Sequence, residues 1–541
     1  MNNELKKIIM KNLLLLAIMA LSGLSAHAYN AYSVIDSLDA VYDTIYIDAD
    51  NIIVDTIYNR LLYYNLTEDE AEVTYLSKRT ITAGTIYTTN YYGDIVIPDS
   101  VKWKDKTYCV TGISDHAFYE CDNLTSVVIP NTVKDIGEMA FYNCTHLTSA
   151  TLPDSLKTIA KYAFYGCALT SISLPKAVTS IGEAAFVCGA TLTDLSVDAE
   201  NAVYDCRNGC NAIIETATNT LVLGCMNSFI PDEVTAIGDY AFTFCSGMTA
   251  INFPKGLKKI GRYSILGCEG LTSVVVPDGV ETIGSSAFRE CYGLKSYVLG
   301  SGLTSISNGA FDSNKPRNIL IRCATPPTIY SYSFSSYTFD NTSLYIPVGS
   351  RDAYEDGNIW YWFENIREAA IKEEQLSTWQ AYTLMDVGTF AYTVYDPVNK
   401  RLATVSSVSS INENNPNHCW QMIEVDGIRF LYNIGAKMYL KQVGNGFALT
   451  DMPESITAED GDIGLILGGQ QSQQWALVSN NGISVDTSVI DYVTGIVSPL
   501  GETEEGAIYK QGSTIVNLAG QRIYAPQKGL NIIGVRKVLI K

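Results

Sequence analysis

The chain has 541 residues, of which 47% are apolar, so it can build an extended core. Its 37 basic and 57 acidic residues give a formal charge of -20. That excess disfavours nucleic acid and anionic membranes, both of which need clustered Lys and Arg.

The N-terminus carries Lys6, Lys7 and Lys11, an apolar run from Leu13 to Leu24, and then Ala26-His27-Ala28. This is the layout of a secretory signal over 1–28, cleaved before Tyr29, and Met10 opens an equally good signal. No cysteine follows the run to take a lipid, and no later stretch reaches transmembrane length. The chain is expected outside the cytoplasm, with no membrane insertion after cleavage. Residues 29–100 read as an N-terminal β cap.

From 101 to 346 a period dominates. Ile113, Ile136 and Ile159, then Ile237, Ile260, Ile283, Ile306 and Ile329, recur 23 residues apart within each run. The unit reads C-x-x-L-x-x-V-x-I-P-x-x-V-x-x-I-G-x-x-A-F. Units of this length with L-x-x-L-x-L spacing are leucine-rich repeats, because one coil cannot bury its own apolar edge and must stack on its neighbours. Leu124, Val127 and Ile129 predict a short strand that Pro130 ends. Val133 and Ile136 turn inward, Gly137 allows a tight corner, and Ala140 with Phe141 closes the coil. About ten coils at the roughly 4.8 Å strand spacing make a rod or shallow arc on the order of 50 Å long.

Thirteen cysteines in an exported chain suggest disulfides. Seven of them (Cys121, Cys144, Cys167, Cys188, Cys245, Cys268 and Cys291) share one repeat column, which predicts buried packing thiols instead. Cys206 and Cys210 lie in an island at about 200–230 that interrupts the array, and a local disulfide there, with Cys225 as a third candidate, stays open. A zinc site does not fit, since no further ligand has the spacing. Around Thr218-Asn219 the island reads as a hairpin. It is either a spacer or a binding projection, and Arg207 within it is a binding candidate.

With the 23-residue units, the opening Leu62-Tyr-Tyr-Asn-Leu66, the island stretch Cys210-Asn-Ala-Ile-Ile-Glu-Thr216 and the closing Leu344-Tyr-Ile-Pro347, the chain resembles the BspA-like leucine-rich-repeat surface proteins over about Leu61 to Glu368. The resemblance implies a solenoid cap over 347–372, reproduced as Gly349-Ser-Arg-Asp-Ala-Tyr354 and Trp362-Phe-Glu-Asn-Ile366. It also implies a cell-surface or secreted adhesin for host matrix proteins or other cells. Ile265 departs from the pattern where Phe is expected, as does Cys206 where Ser is usual.

Two faces are available for a partner. Hydroxylated pairs such as Thr125-Ser126, Thr148-Ser149, Thr170-Ser171 and Thr272-Ser273 line the strands, while Tyr119, Tyr142 and Tyr165 fall one residue after the repeat Phe and should stack as a ladder. Such a ladder either binds or simply covers an edge.

Beyond the cap, 373–485 reads as a small all-β domain. The Gln and Trp pieces at Trp420-Gln421 and Gln473-Gln474-Trp475 loosely resemble ricin-type β-trefoil lectins. That resemblance implies glycan binding through Trp420 and Trp475, with the solenoid as stalk. After a linker at 486–506, the short strands of 507–541 are similar to the C-terminal β domains that direct cargo to type IX secretion. The fold class is therefore mainly β with short helical turns. No catalytic, metal or cofactor motif is found, and His116, His146 and His418 read as surface residues.

Overall fold

The structure is a computed structural model that describes residues 43–47, 52–57 and 60–480 apart from short breaks, together with four strands between 515 and 540. The signal at 1–28 and the linker at 486–506 lie outside the described residues. The fold is mainly β, a solenoid of about 11 turns with two short helices, Ser336–Asn341 and Arg351–Glu355, among the described residues.

Each regular coil carries two strand tracks and a corner. On the first track, Leu124–Val128 pairs in parallel with Gly93–Val96 and Ser149–Thr151. The second is a row of two-residue strands that end on the period isoleucines, as in Asp135–Ile136 against Thr158–Ile159. Leu124, Val127, Ile129, Val133 and Ile136 all point into the core, as the spacing predicts. There the repeat phenylalanines stack face to face. Phe118, Phe141, Phe164 and Phe186 stand 4.7, 4.8 and 5.3 Å apart, and Phe288, Phe311 and Phe334 follow at 5.1 and 5.3 Å.

The corner differs in its physical basis from the sequence expectation. Gly137 is needed because a Cβ there would lie 2.5 Å from the Asp115 amide, a clash of close approach. The left-handed residues are others: His116, Met139, Tyr162, Ala184, Tyr240, Tyr263 and Ser286 take φ between 53° and 63°. A second left-handed position follows at Glu120, Asn143, Phe244 and Glu290. Side chains other than glycine at these positions cost roughly 1–2 kcal/mol each, which the coil-to-coil hydrogen bonds offset.

The column thiols are free and buried. Cys144, Cys167, Cys268 and Cys291 each donate Sγ–H to the carbonyl of Phe118, Phe141, Phe242 and Ile265 at 3.0–3.1 Å. Asn314 continues the column, its Nδ2 donating to Phe288 O at 2.8 Å. A small donor, not sulfur chemistry, is what the position requires.

The island folds as expected into a hairpin, Ile213–Glu215 against Thr220–Leu223. Thr220–Leu223 then pairs with Ala236–Ile237 and restarts the second track. Cys206 and Cys210 face each other with Sγ atoms 3.9 Å apart, in a thiol–thiol hydrogen bond with no disulfide between them. Cys225 instead accepts from Asn211 Nδ2 at 3.3 Å.

Both ends of the array are covered. At the N-terminal end an antiparallel run from Asp43–Ile47 to Glu70–Thr74 joins Lys106–Ile113 and closes the edge. At the other, Trp360 and Phe363 pack on Phe334 at 5.9 and 5.6 Å, and Trp360 Nε1 donates to Pro327 O at 2.7 Å. Strand Asn365–Ala370 pairs in parallel with Ser343–Pro347 and antiparallel with Trp475–Asn480. One sheet therefore runs from the solenoid into the β region that follows it. The sequence reading ends the cap at 372 and begins a separate all-β domain at 373, and the hydrogen bonding continues from the last cap strand into that region. Near the C-terminus, Ile515–Asn517, Arg522–Ile523, Gly529–Ile533 and Arg536–Ile540 form a four-stranded antiparallel sheet.

Candidate functional site

The left-handed corner decides which aromatic rings reach solvent. With Met139 left-handed, Ala140 and Phe141 point inward and Tyr142 is turned out, and the same happens in the neighbouring coils. Tyr119, Tyr142 and Tyr165 are half-buried and stack at 5.2 Å per step, with interplanar angles of 6° and 10°. His116 caps the stack, 5.5 Å from Tyr119.

Sequence reasoning missed the second half of this surface. Tyr162 stands edge-on to Tyr142 and Tyr165, at 6.5 and 5.7 Å. Its side chain hydrogen-bonds to Tyr240, which stacks on Tyr263 at 4.9 Å. Tyr162, Tyr240 and Tyr263 share the left-handed corner position, a signal present in the repeat but obscured by the island between Tyr162 and Tyr240. Six tyrosines thus form one band across the junction of the two half-arrays. Burial first, then the Tyr162 hydrogen bond, holds the Tyr240 hydroxyl above its ordinary range; burial and the neighbouring tyrosines raise Tyr165 in the same direction.

Charged groups border the band. Arg262 bridges the half-arrays, with Nη2 3.2 Å from Glu183 and Nε 2.6 Å from Asp239, and Lys161 Nζ lies 3.6 Å from Glu183. Beneath them a cleft of about 440 Å³ opens between the coil around Ala184 and the coil around Tyr240, floored by Val222 and Leu223 of the island.

The other candidate residues lie elsewhere. Arg207 is committed within the island, to Asp205 at 2.7 and 2.9 Å and to Asn219 at 2.8 Å. Trp420 and Trp475 are both interior to the β region, in one cluster with Tyr382 and Leu477, and Trp420 Nε1 donates to Thr393 O at 2.8 Å. No contact joins these three to the tyrosine band among the described residues. His418 is partly buried, and its Nδ1 accepts from the Asn412 amide at 3.1 Å. Among the described residues no group of three or more His, Cys, Asp or Glu side chains could hold a metal ion, and no helix is long and apolar enough to cross a membrane.

Residues 111–213 and 224–343 match the BspA type leucine rich repeat region in six copies, and the unmatched stretch between them falls within the island. Similar solved structures include a leucine rich cell surface protein from Faecalibacterium prausnitzii, at 22% identity over 63% of this chain and 97% of that one, with a TM-score of 0.31. The pneumococcal vaccine antigen PcpA is similar at 16% identity over 57% of this chain and 95% of its own, with a TM-score of 0.38. A leucine-rich repeat protein from Bacteroides ovatus is similar at 21% identity over 57% and 98%, with a TM-score of 0.31. No curated protein matches the chain.

Proposed function

We propose that this chain is an exported, surface-displayed adhesin: a non-catalytic protein-binding scaffold whose solenoid engages a host matrix protein or a protein of another cell through the tyrosine band. The observation that carries the reading is the half-exposed row of stacked rings on a backbone held coil to coil by hydrogen bonds. Tyrosine supplies a large amphipathic contact area with only two side-chain torsions to immobilise, and preorganised stacking reduces that ordering cost further. The glycan alternative relied on Trp420 and Trp475, and the interior position of both rings favours the band instead.

The test is binding of the full chain to immobilised matrix proteins, compared with the Tyr119→Ser/Tyr142→Ser/Tyr165→Ser variant. Loss of at least about tenfold in affinity, roughly 1.4 kcal/mol, with an unchanged melting temperature supports the reading. Unchanged binding refutes it, and a parallel loss of fold assigns the ladder to structure. Export belongs to the same proposal: the mature protein should begin at Tyr29, and deletion of 507–541 should leave it inside the outer membrane.

A further inference from the structure

Two main-chain ladders run along the corner of the array. In the first, His116, Met139 and Tyr162 donate N–H to the carbonyls of Glu138, Lys161 and Glu183; Tyr240, Tyr263, Ser286 and Gly309 resume it toward Arg262, Ser285, Asn308 and Tyr332. In the second, Phe118, Phe141 and Phe164 donate to Ala140, Ala163 and Ala185, and Phe242, Ile265, Phe288 and Phe311 resume toward Ser264, Ala287, Ala310 and Ser333. Both break at the same coil. Short of the capped last coil, whose Tyr332 N and Phe334 N have no acceptor either, Ala184 N and Phe186 N are the described ladder groups without one, and both residues are buried. Across the cleft the Asp239 carbonyl has no donor, while Ala241 O is taken by Gly224 N of the island. Buried main-chain groups left in this condition cost about 1–3 kcal/mol each.

We propose that this cleft is a peptide-binding site, which takes a short segment of a partner protein with the sequence character small-Gly-small and so supplies the missing corner coil. The hydrogen-bond pattern specifies the ligand. In the coils short of the last, where Tyr332 and Ser333 are adjacent, the two acceptors are carbonyls two residues apart, Lys161 and Ala163 for example, and in the intact ones the residue between them donates to the next coil. That middle residue is left-handed throughout the array, so in a free peptide it should be glycine. The residue after it is Ala or Ser in each coil and faces Ala185, Val222 and Leu223 here, which demands a small side chain. Glu183, Asp239, Lys259 and Arg262 at the rim balance one another and favour an uncharged segment. This is main-chain recognition of the strand-addition kind, transferred to a corner. It goes beyond the adhesin reading, because it holds whether or not the tyrosine band binds anything.

The test uses the full chain and two blocked peptides, acetyl-Ser-Gly-Ala-Ala-amide and its counterpart with proline in place of glycine, which has neither the N–H nor the left-handed conformation. Residue-resolved hydrogen exchange at Ala184 and Phe186 is the readout. The glycine peptide at about 10 mM, a concentration that detects millimolar dissociation constants, should slow both amides at least fivefold, and the proline peptide should not. The Val222→Trp variant, which fills the cleft floor, should abolish the slowing. Equal slowing by both peptides, no slowing by either, or slowing that survives Val222→Trp in a folded variant overturns the proposal. The glycine-against-proline comparison is made on the unaltered chain and so stands even if the variant fails to fold.

Discussion

Raising the pH should unfold the solenoid through its cysteine column. Burial pushes the thiols of Cys188, Cys245 and Cys291 up to about 12 from an ordinary value of 9.0, and those of Cys144 and Cys268 move in the same direction for the same reason. A thiol is neutral when protonated, so the folded state keeps its proton while the unfolded chain loses it above pH 9. The unfolded state then binds fewer protons, and stability falls as pH rises. The contribution is complete below pH 9 and is lost progressively from there to about pH 12. At pH 10 each of Cys188, Cys245 and Cys291 has forfeited on the order of 1 kcal/mol, and the three together a few kcal/mol. That is a sizeable share of the stability of many domains, about 5–15 kcal/mol. The assay is urea unfolding followed by circular dichroism, under reductant, at pH 7, 9 and 10, on the native chain and on Cys268→Ala. Whatever the variant loses at pH 7, the gap between the two proteins should narrow by on the order of 1 kcal/mol at pH 10. If both lose stability at the same rate above pH 9, the thiols are not the groups that titrate and the reasoning fails.

Truncating one ring of the inner stack with Phe141→Ala should cost about 3–5 kcal/mol and lower the thermal transition of the first half-array in particular, since the stack contacts only neighbouring coils. Gly137→Ala places a methyl group against backbone at 2.5 Å and should cost about 1–3 kcal/mol in chemical denaturation, by overpacking. Glu120→Gly removes a side chain from an exposed left-handed position and should raise stability, by up to about 1 kcal/mol, in the same assay; a loss would mean that the conformation is not strained. Cys206 and Cys210, 3.9 Å apart, should lose two hydrogens on treatment with oxidised glutathione, read as a mass decrease that Cys206→Ser prevents, and failure to oxidise would show the pair is held apart.

The repeat made much of the fold legible because its contacts are periodic: coil packs on coil, so residues 23 apart touch, and columns in the sequence become stacks in space. Phe118, Phe141 and Phe164, the ladder Tyr119, Tyr142 and Tyr165, and the buried thiols were readable for that reason. What depends on the path of the chain was not. Tyr162 meets Tyr240 only because the island returns the chain to the same corner, and the cleft beside them exists because the island fills the strand track without filling the corner. The left-handed residues carry ordinary side chains, so no glycine marked them. Trp420 and Trp475 resembled sugar-binding residues by local motif, yet burial is a property of the packed sheet, and both rings ended inside it. The unit, its length and its core columns can be read from the residues alone, because nearest-neighbour stacking is written into the period. Where the two half-arrays meet and which groups remain open there emerge with the folded chain, because those contacts have no period to reveal them.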